Sequence, residues 1–169
     1  MLYKFGIILG LLISAPGLAL EAFDLQRMNG ETATERFVSA DKRAAIYIIE
    51  AYFYNCPYCH ENAPIIEAIA TEFKDNPRIH VLDIGRDCRN SDYSRWIAQH
   101  KPGHPVLNDC NKEVINQIGV TGFPTTVAYD CWGRERFKST GVLNSAKQNQ
   151  LKELIKQMQM EPCPLLLKD

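Results

Sequence analysis

AAIYIIEAYFYNCPYC, residues Ala44 to Cys59, is the stretch whose reading decides the fold. Ala44 to Asn55 is nearly all apolar and rich in β-branched and aromatic side chains. That is the composition of a strand covered on both faces in the middle of an α/β sheet. Glu50 interrupts it at the centre, where a carboxylate is either an edge feature or a buried group with a task. Cys56-Pro57 then turns the chain into a helix expected to reach Phe73. Ile65, Ile66, Ile69, Ala70 and Phe73 form its apolar face, and Pro64 should kink it.

This junction gives a thiol a chemical use. Cys56 would sit just before the helix, where unpaired N–H groups and the macrodipole favour an anion. Such a place lowers a thiol pKa from ~8.5 to between ~3.5 and ~7.5. The two-residue spacer returns Cys59 one turn later, so Cys56 would attack and Cys59 would resolve a mixed disulfide. Other readings of these residues stay open here. One is a static disulfide at a helix start, against which the tight spacer and an expected exposure of Cys56 weigh. Cys56-x-x-Cys59-His60 is also the c-type haem attachment pattern. A copper module would need a distant His, and structural zinc would need a second close pair of Cys or His.

Downstream, Arg78 to Gly85 reads as the next strand, followed by a polar stretch with a helix near Asp92 to His100. A loop runs through Lys101 to Pro105, and a short helix covers about Asn111 to Ile118. Thr121-Gly-Phe-Pro124 leads into two strands, Thr125 to Tyr129 and Glu135 to Thr140, around a Cys-Trp-Gly turn. The last helix opens at Asn144 or Ser145, carries Leu151, Leu154, Ile155 and Met158, and is barred by Pro162. Strand, helix, strand, helix, hairpin, helix is an α/β sandwich with a mixed sheet. Upstream, Leu20 to Arg43 is polar with scattered Phe23, Leu25, Met28, Phe37 and Val38. It is expected to be a partly helical lead-in to a domain spanning 44–169.

Residues 1–19 read as an address: Lys4, a short apolar run from Phe5 to Ile13, then helix breakers and small residues at Gly17 and Ala19. The run is too short to cross a bilayer, which needs ~20 residues. A signal peptide cleaved near Ala19 is therefore expected, with a soluble, extracytoplasmic remainder. The 169 residues are 46% apolar and 23% charged with a formal net charge of −1, one ordinary domain with no basic surplus for nucleic acid. All six cysteines lie beyond Ala19, and an even number in an exported chain points to disulfides. No metal or cofactor is expected.

Glu50 lies six residues before Cys56, Pro64 eight after it, and Gly122-Phe123-Pro124-Thr125 stands before a hairpin bracketed by Gly133 and Gly141. With the Cys pair, this resembles the thioredoxin superfamily from about Ala44 to Met158. The resemblance implies a thioredoxin fold, a central mixed β-sheet flanked by helices, with an insertion before the cis-proline loop, since Arg86 to Asn111 is longer than in minimal thioredoxins. It implies that Pro124 follows a cis bond and faces the Cys pair, and that the backbone of Phe123 meets an extended substrate chain beside Pro57 and Tyr58. Glu50 would shuttle the proton of Cys59. His60 either supports the Cys56 thiolate or faces water. Asn55 replaces the tryptophan that thioredoxins often carry there, and no strand lysine stands near Val81.

On that fold Cys88 and Cys110 bracket the extra segment, while Cys131 and Cys163 lie at the opposite end, so the pairs 88–110 and 131–163 are expected. His80, His100 and His104 show no pairing to act on, and Trp96 and Trp132 read as packing residues. The implied activity is thiol–disulfide exchange with protein substrates by a monomer, recycled by a membrane redox partner. The Pro-Tyr spacer leans towards an oxidase or shuffler. The alternatives are a thioredoxin-like reductase for cytochrome c or other periplasmic thiols, and a metal- or haem-carrying assembly factor.

Overall fold

The computed structural model describes residues 19–39 and 45–163. The expected signal segment lies outside them, apart from Ala19. Ile46–Tyr52 forms the central strand, here β3 after two earlier strands, β1 (Asp24–Asn29) and β2 (Thr32–Val38). All seven of its residues are buried, as its unbroken apolar run requires. Then follow α1 (Pro57–Phe73), β4 (Ile79–Gly85), α2 (Asn90–His100), β5 (Val106–Asn108), α3 (Glu113–Gln117), β6 (Thr125–Tyr129), β7 (Glu135–Thr140) and α4 (Ser145–Met160).

One mixed sheet runs β2-β1-β5-β4-β3-β6-β7. β3, β4 and β5 are parallel, and antiparallel strands flank them on both sides. Alternation along β3 divides the core. Tyr47, Ile49 and Ala51 face Leu82, Ile84, Leu107 and α3, whereas Ile46 and Ile48 face α1 and α4 through Ile66, Ile69, Leu151 and Ile155. α4 is capped as its sequence promises, with Asn144 accepting from the Lys147 N–H at 3.0 Å.

The lead-in is not helical: it is the β1–β2 hairpin, joined to the domain's sheet through β5. Its polar appearance has a physical cause, because β2 is the sheet's edge strand and exposes its first five residues. The Asn29-Gly30 dipeptide is the signal that finds it. Asn29 pairs with Thr32, and Gly30 in the two-residue loop has φ +66°, which glycine adopts without a Cβ penalty. The Arg86–Asn111 segment holds α2 and β5, and β5 is the strand that connects the hairpin to β4. With three residues, β5 is too short to declare itself by periodicity.

Disulfides join Cys88 to Cys110 across that segment, and Cys131 in the β6–β7 turn to Cys163 beyond α4.

Candidate redox site

α1 begins at the third disulfide, Cys56–Cys59, with Cα atoms 5.2 Å apart. Cys56 caps the helix in extended backbone (φ −100°, ψ 105°), and its Sγ accepts the Cys59 N–H at 3.1 Å. Pro57 takes the first helical position, where the missing N–H costs nothing. Tyr58 is 62% exposed beside it. Cys59 is fully buried, and Cys56 is only 3% exposed. The expected exposure of Cys56 is thus corrected. Met28, Tyr52, Ala63, Tyr93, Trp96 and Val106 form the apolar cluster around both sulfurs, flanked by Phe53, Tyr54 and Phe123. Capping turns this sulfur towards its own first turn, and the cluster covers it there.

The Phe123–Pro124 peptide is cis, and Phe123 packs on the cluster that contains both cysteines. Its ring meets Phe53 edge to face, with centroids 5.3 Å apart. The strand, the helix start and the Phe123–Pro124 loop therefore converge around one disulfide.

Beneath the helix lies a buried polar row. Asp83, Glu50, Thr126 and Ser139 are successive register partners across β4, β3, β6 and β7, and all four are buried. Glu50 is therefore in the central strand, not at an edge. Asn62, one turn beyond Cys59 on α1, donates to Glu50 Oε1 at 3.1 Å, while its own Oδ1 accepts the Leu143 N–H at 2.9 Å. Glu50 Oε2 has no hydrogen-bond partner. Burial pushes the Glu50 carboxyl well above its usual range, and the Asp83 carboxylate adds to the rise, while the Asn62 hydrogen bond opposes it.

Asp83 is better supplied. Its Oδ2 accepts the Trp96 indole N–H at 3.0 Å, and its Oδ1 meets His104 Nε2 at 2.9 Å. His104 Nδ1 meets Glu67 Oε2 at 3.1 Å. Burial alone would lower the His104 pKa, but the Asp83 and Glu67 carboxylates at its two nitrogens outweigh it and raise the pKa. His104 accordingly has the carboxylate partners that its loop position in the sequence conceals.

His60 is neither free for the Cys56 thiolate nor turned to water. Its Nε2 lies 2.7 Å from the Tyr54 carbonyl, which can only accept, so Nε2 carries the hydrogen. Its Nδ1 lies 2.7 Å from His100 Nε2. Burial and the neighbouring His60 lower the His100 pKa, against the pull of Asp83. Trp96 is a core residue, as its sequence suggests, stacked on Tyr52 at 3.9 Å. Trp132 is not, being half exposed with its indole N–H donated to the Pro162 carbonyl.

Sequence reasoning passed over Asp83, Asn62 and His104. Asp83 carried a readable signal, a charge in an otherwise apolar central strand, the same signal as Glu50. At Gly85, two residues on, a Cβ would stand 2.6 Å from Tyr93 Cε1 on α2 and 3.0 Å from Tyr52, so only glycine leaves these rings their place.

The architecture is the thioredoxin-like fold, a mixed sheet flanked by helices with the cysteine pair at a helix start. Solved structures share it. The thioredoxin domain of a thiol-disulfide oxidoreductase from Bacteroides vulgatus superposes with a TM-score of 0.69 at 19% identity, covering 84% of this chain and 99% of its own. StoA from Bacillus subtilis gives 0.66 at 14% identity, covering 82% and 99%. A secreted disulfide oxidoreductase from Mycobacterium tuberculosis, homologous to Escherichia coli DsbE, gives 0.64 at 17% identity, covering 80% and 95%. Neither a protein-family model nor a curated protein sequence matches the chain.

Proposed function

We propose that this chain is an exported, monomeric thiol–disulfide oxidoreductase that exchanges disulfides with protein substrates through Cys56 and Cys59. The observation that carries this reading is the convergence at one place of a helix-capping disulfide, the Phe123–Pro124 loop and a buried Glu50. A substrate thiolate attacks Cys56, forming a mixed disulfide and leaving Cys59 as the thiolate. A second substrate thiolate then attacks the substrate sulfur of that bond, releasing the oxidised substrate and the Cys56 thiolate, whereas attack by Cys59 returns the starting disulfide. In the reducing direction the Cys56 thiolate opens a substrate disulfide, and Cys59 resolves the intermediate after losing its proton to Glu50. Phe123, Pro57 and Tyr58 meet the substrate chain beside the pair. Structural neighbours that are thiol-disulfide oxidoreductases, one of them secreted, support the class and the compartment. A membrane redox partner would recycle the pair.

The Pro57-Tyr58 spacer leans the pair towards oxidation or shuffling. A second reading, reduction of cytochrome c or other periplasmic thiols, is favoured by the burial of Cys56 and by the engagement of both His60 nitrogens elsewhere. Burial raises a thiol pKa, and a less stabilised thiolate makes a weaker oxidant.

The reduction potential of the Cys56–Cys59 pair tests both. The protein is equilibrated with glutathione, acid-quenched and alkylated, and the peptide carrying the pair is weighed. A value near ~−120 to −180 mV marks a disulfide donor or shuffler, and one near ~−270 mV or lower marks a reductase. A pair that never takes up the alkylating agent at any poise overturns the proposal.

A further inference from the structure

The geometry points to a carboxylate-binding subsite at Arg86, which rests on the exchange activity proposed above. Arg86 directly follows β4, with its backbone N–H bonded to the Tyr52 carbonyl at 3.1 Å. Its guanidinium carbon lies 4.4 Å from the centre of the Phe53 ring and 4.8 Å from that of Phe123. These rings are the ones that border the cysteines, and Phe123 is the residue before Pro124. The neighbouring cations are occupied, since Arg89 and Arg95 both pair with Asp92. The adjacent Asp87 carboxylate accepts the Tyr54 N–H at 2.7 Å. Arg86 itself is exposed, and among the described residues its guanidinium makes no ion pair or hydrogen bond.

The two rings stand edge to face, so a guanidinium against both keeps for a ligand the N–H donors directed away from them. Those donors form a planar fork matched to a carboxylate, and ring contacts that restrict it reduce the freedom lost on binding. The ligand is thus a carboxylate borne by the substrate polypeptide next to its reacting cysteine, either an Asp or Glu side chain or a chain terminus. Substrates with a neutral or basic residue there leave the donors in water and bind more weakly.

The test uses the oxidised full chain and a set of synthetic dithiol peptides. Each peptide is oxidised to its disulfide as the Cys56–Cys59 bond is reduced, so thiols and disulfides balance. The peptides differ only in Glu, Gln or Lys beside the reacting cysteine, with amidated ends. A further peptide has Gln there and a free terminal carboxylate next to it. The expected result is a preference of about three- to tenfold for Glu over Gln, expressed in half-saturation rather than limiting rate. Arg86→Gln should abolish the preference and Arg86→Glu should turn it towards Lys, with dithiothreitol exchange unchanged in both. Equal preference for the free-terminus peptide assigns the site to terminal carboxylates as well, and its absence restricts it to side chains. A Glu preference missing from the wild type, or persisting in Arg86→Gln, overturns the subsite while exchange with dithiothreitol continues. Wild type unable to exchange with dithiothreitol overturns the exchange reading and the subsite with it.

Discussion

Glu50 on β3 and Asp83 on β4 are register partners on parallel strands, both buried and both on the helix-covered face of the sheet. Two carboxylates so placed resist ionising together. Their hydrogen-bond partners differ. Asp83 has an indole N–H and a histidine, whereas Glu50 has one amide and an oxygen without a partner. Burial and the neighbouring Asp83 carboxylate hold the Glu50 carboxyl well above its usual range, and Asn62, which donates to it, lies one turn beyond Cys59 on α1.

Glu50→Gln should make the protein more stable at pH 7 and slower in exchange. The raised folded pKa means that the unfolded chain releases this proton first, so Glu50 erodes stability as pH rises above ~4.5 towards its folded pKa. The variant should gain on the order of 1–3 kcal/mol at pH 7, where the unfolded chain has ionised this carboxyl, and the gain should shrink as pH falls below ~4.5. Urea unfolding at pH 4 and 7 measures this. Stopped-flow release of a mixed disulfide should slow by at least about tenfold.

His104 should likewise cost stability as pH rises, but by losing a favourable charge rather than by acquiring an unfavourable one. Because its pKa is raised in the folded state, its stabilisation is whole below ~pH 6.5 and is lost as pH climbs through the folded pKa. His104→Gln should cost about 3 kcal/mol at pH 6, where it removes a charge between two carboxylates, and less at pH 9. Thermal unfolding across that range would show the two curves converging.

Trp96→Phe should keep an aromatic ring against Tyr52 but deprive Asp83 of its indole donor. A loss of about 2–3 kcal/mol is expected from the unpaired buried oxygen and the smaller ring. Denaturant titration with an unchanged slope would identify it as a stability effect.

Replacing both Cys131 and Cys163 by Ser should lower stability by about 3–4 kcal/mol, the chain-entropy value for their separation of 32 residues. The bond is at the far side of the sheet from α1's start, so dithiothreitol exchange at Cys56–Cys59 should keep its rate. A fall in that rate equal to the fall in stability would show the two ends to be coupled.

The local chemistry was legible along the chain. The apolar run of β3, the Cys-Pro-Tyr-Cys helix start, the Phe123–Pro124 loop and the Asn144 cap each depend on a few neighbouring residues, and each stands where its residues place it. Glu50 also showed itself, because a charge inside a buried run breaks a periodicity that can be counted. What the chain order hid were relations between distant segments. The β1–β2 hairpin looked unlike a strand pair because an edge strand needs apolar residues on one face only, and it finds its place through β5, three residues long and 70 or more residues downstream. The burial of Cys56, the occupation of His60 by His100 and the bond from His104 to Asp83 arise where α1, α2 and the sheet meet. Sequence by itself thus determined the central strand, the helix start with its cysteine pair and the last helix, since propensity and periodicity act over a few residues. Only the tertiary structure decided which groups share protons and which are covered, because burial and hydrogen bonding depend on side chains brought together from far apart in the chain.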